Sequence, residues 1–127
     1  LNEFVANHAI KIDISLVSPF TRAQQTYTSM KYNITLDDSL TANSFDTKDI
    51  TPSGNVSNAH RNIDAVLVEH SSIQAMLLVS HLPFISYLLD ELCNSQHSMV
   101  FSTGAIACVE YDISQSVGKL ITIFTPD

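Results

Sequence analysis

The sequence predicts a three-layer α/β/α sandwich with a mostly parallel central sheet and an antiparallel edge. Three observations lead there. Residues 75–92, AMLLVSHLPFISYLLDEL, open with an unbroken apolar run, pass through Ser80 and His81, and continue as a helical stripe. Such a run suits a strand covered by helices on both faces, as in a parallel sheet. Residues 14–30 repeat the same order: apolar strand, a turn with serine and proline, then helix. Finally, two β-rich runs, 105–111 and 119–124, are joined by a polar connection and read as a hairpin at a sheet edge.

Residues 1–9 read as the end of an amphipathic helix, with Leu1, Phe4, Val5 and Ala9 on one face and no N-cap before them. Because the first residue is not Met and this helix starts mid-stride, the chain is expected to lack its native N-terminus. Residues 12–17 form a strand in which Ile12, Ile14 and Leu16 alternate. Ser18-Pro19-Phe20 ends it, and residues 21–32 form a helix carrying Ala23, Tyr27 and Met30 on one side. A short strand is expected over 33–36. Residues 37–55 are polar and punctuated by Pro52, Gly54 and Asn55, so mostly loop is expected, with a weak local element over 40–45. Residues 55–70 form a helix with Val56, Ala59, Ile63, Val66 and Leu67 inward. In the 75–92 unit, Pro83 stands where a helix begins, since the amide hydrogen it lacks would have had no partner there. Phe84, Ile85, Leu88, Leu89 and Leu92 then recur at helical spacing. Residues 94–98 are loop.

The chain's 127 residues point to a single domain spanning 1–127, large enough for a real core. No apolar run approaches the roughly 18 residues needed to span a membrane. Net charge is −7, and Arg22 and Arg61 are the two arginines. A nucleic-acid binder needs a basic face, which this composition does not offer. Any anionic ligand needs a local positive pocket inside a repelling field. Cys93 and Cys108 have neither a zinc spacing nor that of a redox pair, so two reduced cysteines in a cytoplasmic protein are expected.

The two strand–turn–helix units carry the chemistry. In the first, Arg22 lies four residues after Ser18, in the first turn of its helix; in the second, His81 directly follows Ser80. Carboxyl ends of strands in open α/β sheets are where ligands bind. Arginine offers a planar fork that fits phosphate, and a helix N-terminus adds backbone donors. Two adjacent strands ending this way could build a compact oxyanion pocket. On the residues alone, Arg22 also reads as a solvated helix-start cation and His81 as a satisfied polar residue at a strand end.

Ser18-Pro19-Phe20-Thr21-Arg22-Ala23-Gln24-Gln25-Thr26 resembles the S-P-x-x-R-A-x-x-T motif of the histidine phosphatase superfamily. Val79-Ser80-His81 resembles its second-histidine motif. Residues 78–94, LVSHLPFISYLLDELCN, are similar to the short phosphohistidine phosphatases of the SixA type, as are Thr51-Pro52-Ser53-Gly54 and residues 101–107, FSTGAIA. The resemblance runs from about Phe4 to the last strand, and the two motifs in order are specific where either alone would be weak. It implies the phosphoglycerate mutase-like form of the sandwich. It also implies a hydrolase that dephosphorylates phosphohistidine on a partner protein through a phosphohistidine enzyme intermediate. By motif match Arg22 is the family's second arginine and His81 its second histidine, both phosphate-binding and catalytic, with no metal and no cofactor.

One departure is large. The family's nucleophile sits in an Arg-His-Gly motif after the first strand, and no Arg-His-Gly occurs in these residues. His60-Arg61-Asn62 has the reverse order inside a predicted helix, and His8, His70 and His97 have no adjacent arginine. The expectation is that the nucleophile segment is absent, not relocated, and that this chain by itself is inactive. Family members that hydrolyse small phosphate esters also supply an acid for the leaving oxygen. Here the loop acids Asp37, Asp38, Asp46 and Asp49 are expected to be solvated. A phosphorus–nitrogen bond to imidazole dispenses with that acid, because imidazole leaves far more easily than an alkoxide. The alternatives are a phosphomonoesterase for small phosphate esters, and a phosphate-binding module or truncated product without catalysis.

Overall fold

The structure, a computed structural model, describes residues 12–33, 45–94 and 105–124. Strand β1 (Ile14–Val17) leads into helix α1 (Thr21–Asn33). A short 3-10 helix (Thr47–Ile50) precedes helix α2 (Val56–Glu69), strand β2 (Met76–Val79) and helix α3 (Phe84–Cys93). Strands β3 (Ile106–Asp112) and β4 (Val117–Phe124) close the order. Every element predicted within the described residues is present, with ends moved by one or two residues. The helix over 1–9 lies outside the described residues, and the elements over 33–36 and 40–45 lie largely outside them.

β1 and β2 pair in parallel in the register Ile14–Met76, Ser15–Leu77, Leu16–Leu78 and Val17–Val79. The ladder extends at both ends, through Asp13 N–H to the Ala75 carbonyl at 3.0 Å and Ser18 N–H to the Val79 carbonyl at 2.9 Å. The Asp13 carboxylate caps the entry to β2, accepting from the amides of Gln74 at 2.8 Å and Ala75 at 3.0 Å. β3 and β4 pair antiparallel, with a register shift at Cys108/Val109. The expected parallel and antiparallel parts are therefore both present. Among the described residues they form two separate two-stranded sheets, with no described strand bonding β2 to β3.

The core lies on one face of the parallel pair. Ile14 and Leu16 point into a cluster with Phe45, Ile50, Ala59, Ile63, Val66, Phe84, Leu88 and Leu92. The apolar stripes of α2 and α3 supply most of it, as their 3.6-residue period requires. Asn55 starts α2 by accepting from the Asn58 amide at 2.9 Å, an N-cap the sequence placed one residue inside the helix. α1 packs on both strands, with Ala23 buried. β2 is less enclosed than its composition suggested: Met76, Leu77 and Leu78 are half-buried and only Val79 is buried. A strand bonded on one edge within the described residues keeps some apolar surface open.

The hairpin is tied to the helices by polar contacts. The Tyr111 hydroxyl donates to the Asp64 carboxylate, and Ser116 donates to its other oxygen. Both hydroxyl oxygens also meet His60 Nε2, at 2.8 Å and 3.1 Å, while His60 Nδ1 lies 2.7 Å from Glu91. Burial and the Asp64 hydrogen bond push Tyr111 up to about 12, so its hydroxyl remains a donor. Tyr111→Phe should cost about 1–3 kcal/mol, since it strips a part-buried donor from Asp64 and an acceptor from His60. Urea unfolding measures this; an unchanged midpoint would mean that apolar packing alone holds the hairpin.

Candidate active site

The β1–β2 ladder sets the site. Because Val17 lies opposite Val79, the two chains leave the sheet side by side, one as Ser18-Pro19-Phe20 and the other as Ser80-His81-Leu82. Ser18 is fully buried and His81 half-buried. His81 Nε2 lies 2.7 Å from Ser18 Oγ. The Phe20 amide donates to the same oxygen at 3.4 Å, and the Gln24 side-chain amide donates to the Ser18 carbonyl at 2.8 Å. The Phe20 ring meets the His81 ring edge-on, with centroids 5.5 Å apart.

His81 also starts α3. Its carbonyl accepts from the Ile85 amide at 2.8 Å, and the Pro83 carbonyl accepts from Ser86 at 3.0 Å. Pro83 is the N-cap residue of α3, with Phe84 as the first helical position, one residue later than the sequence suggested. Beside it, Ser80 Oγ donates to the Ile50 carbonyl and ties the 3-10 segment to the site. That segment turns tightly. A Cβ on Gly54 would lie 2.2 Å from the Asp49 carbonyl oxygen, so only glycine fits.

Arg22 occupies the first turn of α1 and is exposed, with its carbonyl accepting from Thr26 Oγ1 at 3.0 Å. Arg61 is also exposed, bonded to Asn58 on the outer face of α2. His60 belongs to the hairpin contacts and not to this site. One expectation needs correcting. Asp49 is not a solvated loop acid: it is 9% exposed and accepts from the Asn62 side chain at 2.9 Å. The sequence hid this because the partner arrives from a different element. Asp46 is exposed, paired with Lys48 at 3.3 Å, while Asp37 and Asp38 lie outside the described residues. Ser18 as the partner of His81, and Gln24 as the brace of that turn, were not singled out from sequence. The signal for Ser18 was its place at the head of the Ser-Pro motif at a strand end, and for Gln24 only an amide six residues on.

Burial pushes His81 below the ordinary imidazole value of 6.5. The neutral ring is the form the fold prefers. Stability tied to His81 is therefore complete above the ordinary value and declines as pH falls through it toward the folded value. NMR titration of the ring protons should give a midpoint below 6.5; a midpoint at or above it would overturn the burial argument.

Among the described residues no group of three or more histidine, cysteine or carboxylate side chains could hold a metal ion. No described helix is long and apolar enough to cross a membrane. Cys93 and Cys108 are free and half-buried.

No family model matches the chain. It is 34% identical over 105 residues to the phosphohistidine phosphatase SixA of Escherichia coli K12, covering 83% of this chain and 62% of that protein. It is 31% identical over 107 residues to a SixA homolog of Haemophilus influenzae, again covering 83% and 62%. The chain thus spans 62% of the length of each of these curated relatives. Among solved structures, it superposes on the protein histidine phosphatase SixA complexed with tungstate, with a TM-score of 0.80 and 29% identity. That match covers 98% of this chain and 75% of the other. In sequence and in fold, the chain is similar to these SixA proteins.

Proposed function

We propose that this chain forms the phosphoryl-binding site of a phosphohistidine phosphatase acting on a cytoplasmic partner protein, with Arg22 and His81 binding the transferred group. The observation that carries it is the 2.7 Å bond between Ser18 and His81. It joins the two strand-end turns, so that the helix start bearing Arg22 and the turn bearing His81 leave neighbouring strands together. Transferring phosphoryl groups spread negative charge over three oxygens, and fixed donors and cations are the main help a protein gives. The relatives' names support the substrate class, and tungstate, an oxyanion, is the ligand named for the solved SixA structure.

Asp46 and Asp49, the described acids of the nearby loop, favour phosphohistidine over an alkyl phosphate. Asp49 is held by Asn62 and Asp46 lies beside Lys48, so neither described carboxyl is presented as a free acid for a leaving oxygen. Phe20 and Leu82 are exposed where the two turns emerge, an open apolar rim that suits a protein surface.

Turnover needs a neutral imidazole aimed at phosphorus. The 127 residues contain no Arg-His-Gly, and His60 is engaged elsewhere, so binding without turnover is the proposed behaviour of this chain alone. Isothermal titration with tungstate should show Arg22→Ala weakening binding at least roughly tenfold, as loss of a charge-assisted contact does. Arg61→Ala should change it little. Equal losses would overturn the assignment of Arg22. In parallel, phosphate release from a phosphohistidine-bearing protein should be absent for the chain and present once an Arg-His-Gly strand segment is joined ahead of Leu1. Equal rates would show that the nucleophile lies within the 127 residues.

A further inference from the structure

The geometry points to Ser18 as a positioning residue that fixes the tautomer of His81: the serine proton goes to Nε2, the ring proton sits on Nδ1, and Nδ1–H is the donor offered to an oxyanion. The last clause rests on the phosphate-binding reading above; the first two do not.

Proton counting carries it. A serine hydroxyl has one proton to give and two lone pairs to receive with. The Phe20 amide can only donate, and it points at Ser18 Oγ from 3.4 Å. His81 Nε2 stands 2.7 Å from the same atom. Were Nε2 protonated, two donors would converge on Oγ and the serine proton would need a third partner. Ser18 is 0% exposed, so water does not supply one, and no other described group accepts from it. A buried hydroxyl proton without an acceptor is costly. The arrangement closes only with Oγ–H donating to Nε2.

The consequence falls on the other nitrogen. A neutral imidazole carries one proton, and with Nε2 accepting, that proton must be on Nδ1. No described residue bonds Nδ1, and the ring is half-buried. The opposite tautomer would present a lone pair there and repel an anion. Ser18 therefore decides whether a neutral His81 attracts or repels a phosphoryl oxygen. The Gln24 side chain, holding the Ser18 carbonyl at 2.8 Å, and the Phe20 ring, edge-on to the imidazole, keep both partners in place.

Long-range nitrogen–proton NMR correlation distinguishes the two neutral tautomers directly. It would be recorded on the 127-residue chain at about pH 8, above the ordinary imidazole range. His81 should show a protonated Nδ1 and an unprotonated Nε2. Ser18→Ala should move the proton toward Nε2 and weaken tungstate binding roughly tenfold in titration calorimetry. Ser18→Cys keeps the volume and a weaker donor, so it should fall between the two and guards against misfolding of the alanine variant. A protonated Nε2 in the unmutated chain, or a tautomer unchanged in both variants, would overturn the inference. If the unmutated chain shows the expected tautomer but does not bind tungstate, the role of Ser18 stands and the phosphate-binding reading falls.

Discussion

Four residues of parallel pairing hold the candidate site together. Nothing local to Ser18 or His81 would bring them near each other, since they stand 63 residues apart in the chain. The pairing of Val17 with Val79, carried one step further by the Ser18 amide on the Val79 carbonyl, delivers both turns at the same height of the sheet. A shift by one residue would turn the inward Ile14 and Leu16 out of the core, so burial of those two side chains also fixes the functional geometry. Packing and chemistry are thus set by one register.

The helices that cover this pair do two jobs, with the apolar stripe and with its polar flank. α3 buries Phe84, Leu88, Leu89 and Leu92 and presents Glu91 to His60. α2 buries Ala59, Ile63 and Val66 and presents His60 and Asp64 to the hairpin. The contact of hairpin with helices is polar where that of the parallel pair is apolar. Ser116, held in a left-handed conformation with φ 54°, places its hydroxyl within reach of both His60 and Asp64. Polar contacts with several partners orient more strictly than apolar ones, at the cost of desolvating each group.

What the sequence made legible was whatever depends on neighbours in the chain. The alternation before Val17, the stripe from Phe84 to Leu92 and the apolar spacing of α2 each announced their element, and the repeated strand–turn–helix order announced two turns that leave neighbouring strands. What it hid depends on partners brought from far away. The 3-10 turn at Thr47–Ile50 is held by the close approach of Gly54 to the Asp49 carbonyl and by Ser80 reaching Ile50. Asp49 looked like a solvated acid because Asn62 comes from the next helix. His60 beside Arg61 looked like a reversed motif until Glu91 and Tyr111 claimed its ring. The half-burial of β2 could not be read either, because a run of apolar residues does not say how many strands flank it.

The proposed anion site lies in an acidic chain with a net charge of −7, whose field would oppose the ligand. Screening limits that field to roughly 8 Å at physiological salt, so contacts at hydrogen-bond distance can outweigh it. The two proposed donors divide the work by their surroundings. Arg22 is exposed, a position that would suit the first capture of a phosphoryl group from solvent. His81 is partly withdrawn from water, and burial favours its neutral ring. A neutral ring adds no net charge, so its value lies in direction, and direction is what Ser18, Phe20 and the start of α3 impose on it. A second cation in that position would bind phosphate more tightly in the ground state and in the product alike. An oriented neutral donor can favour the charge distribution of transfer without trapping the phosphate that follows.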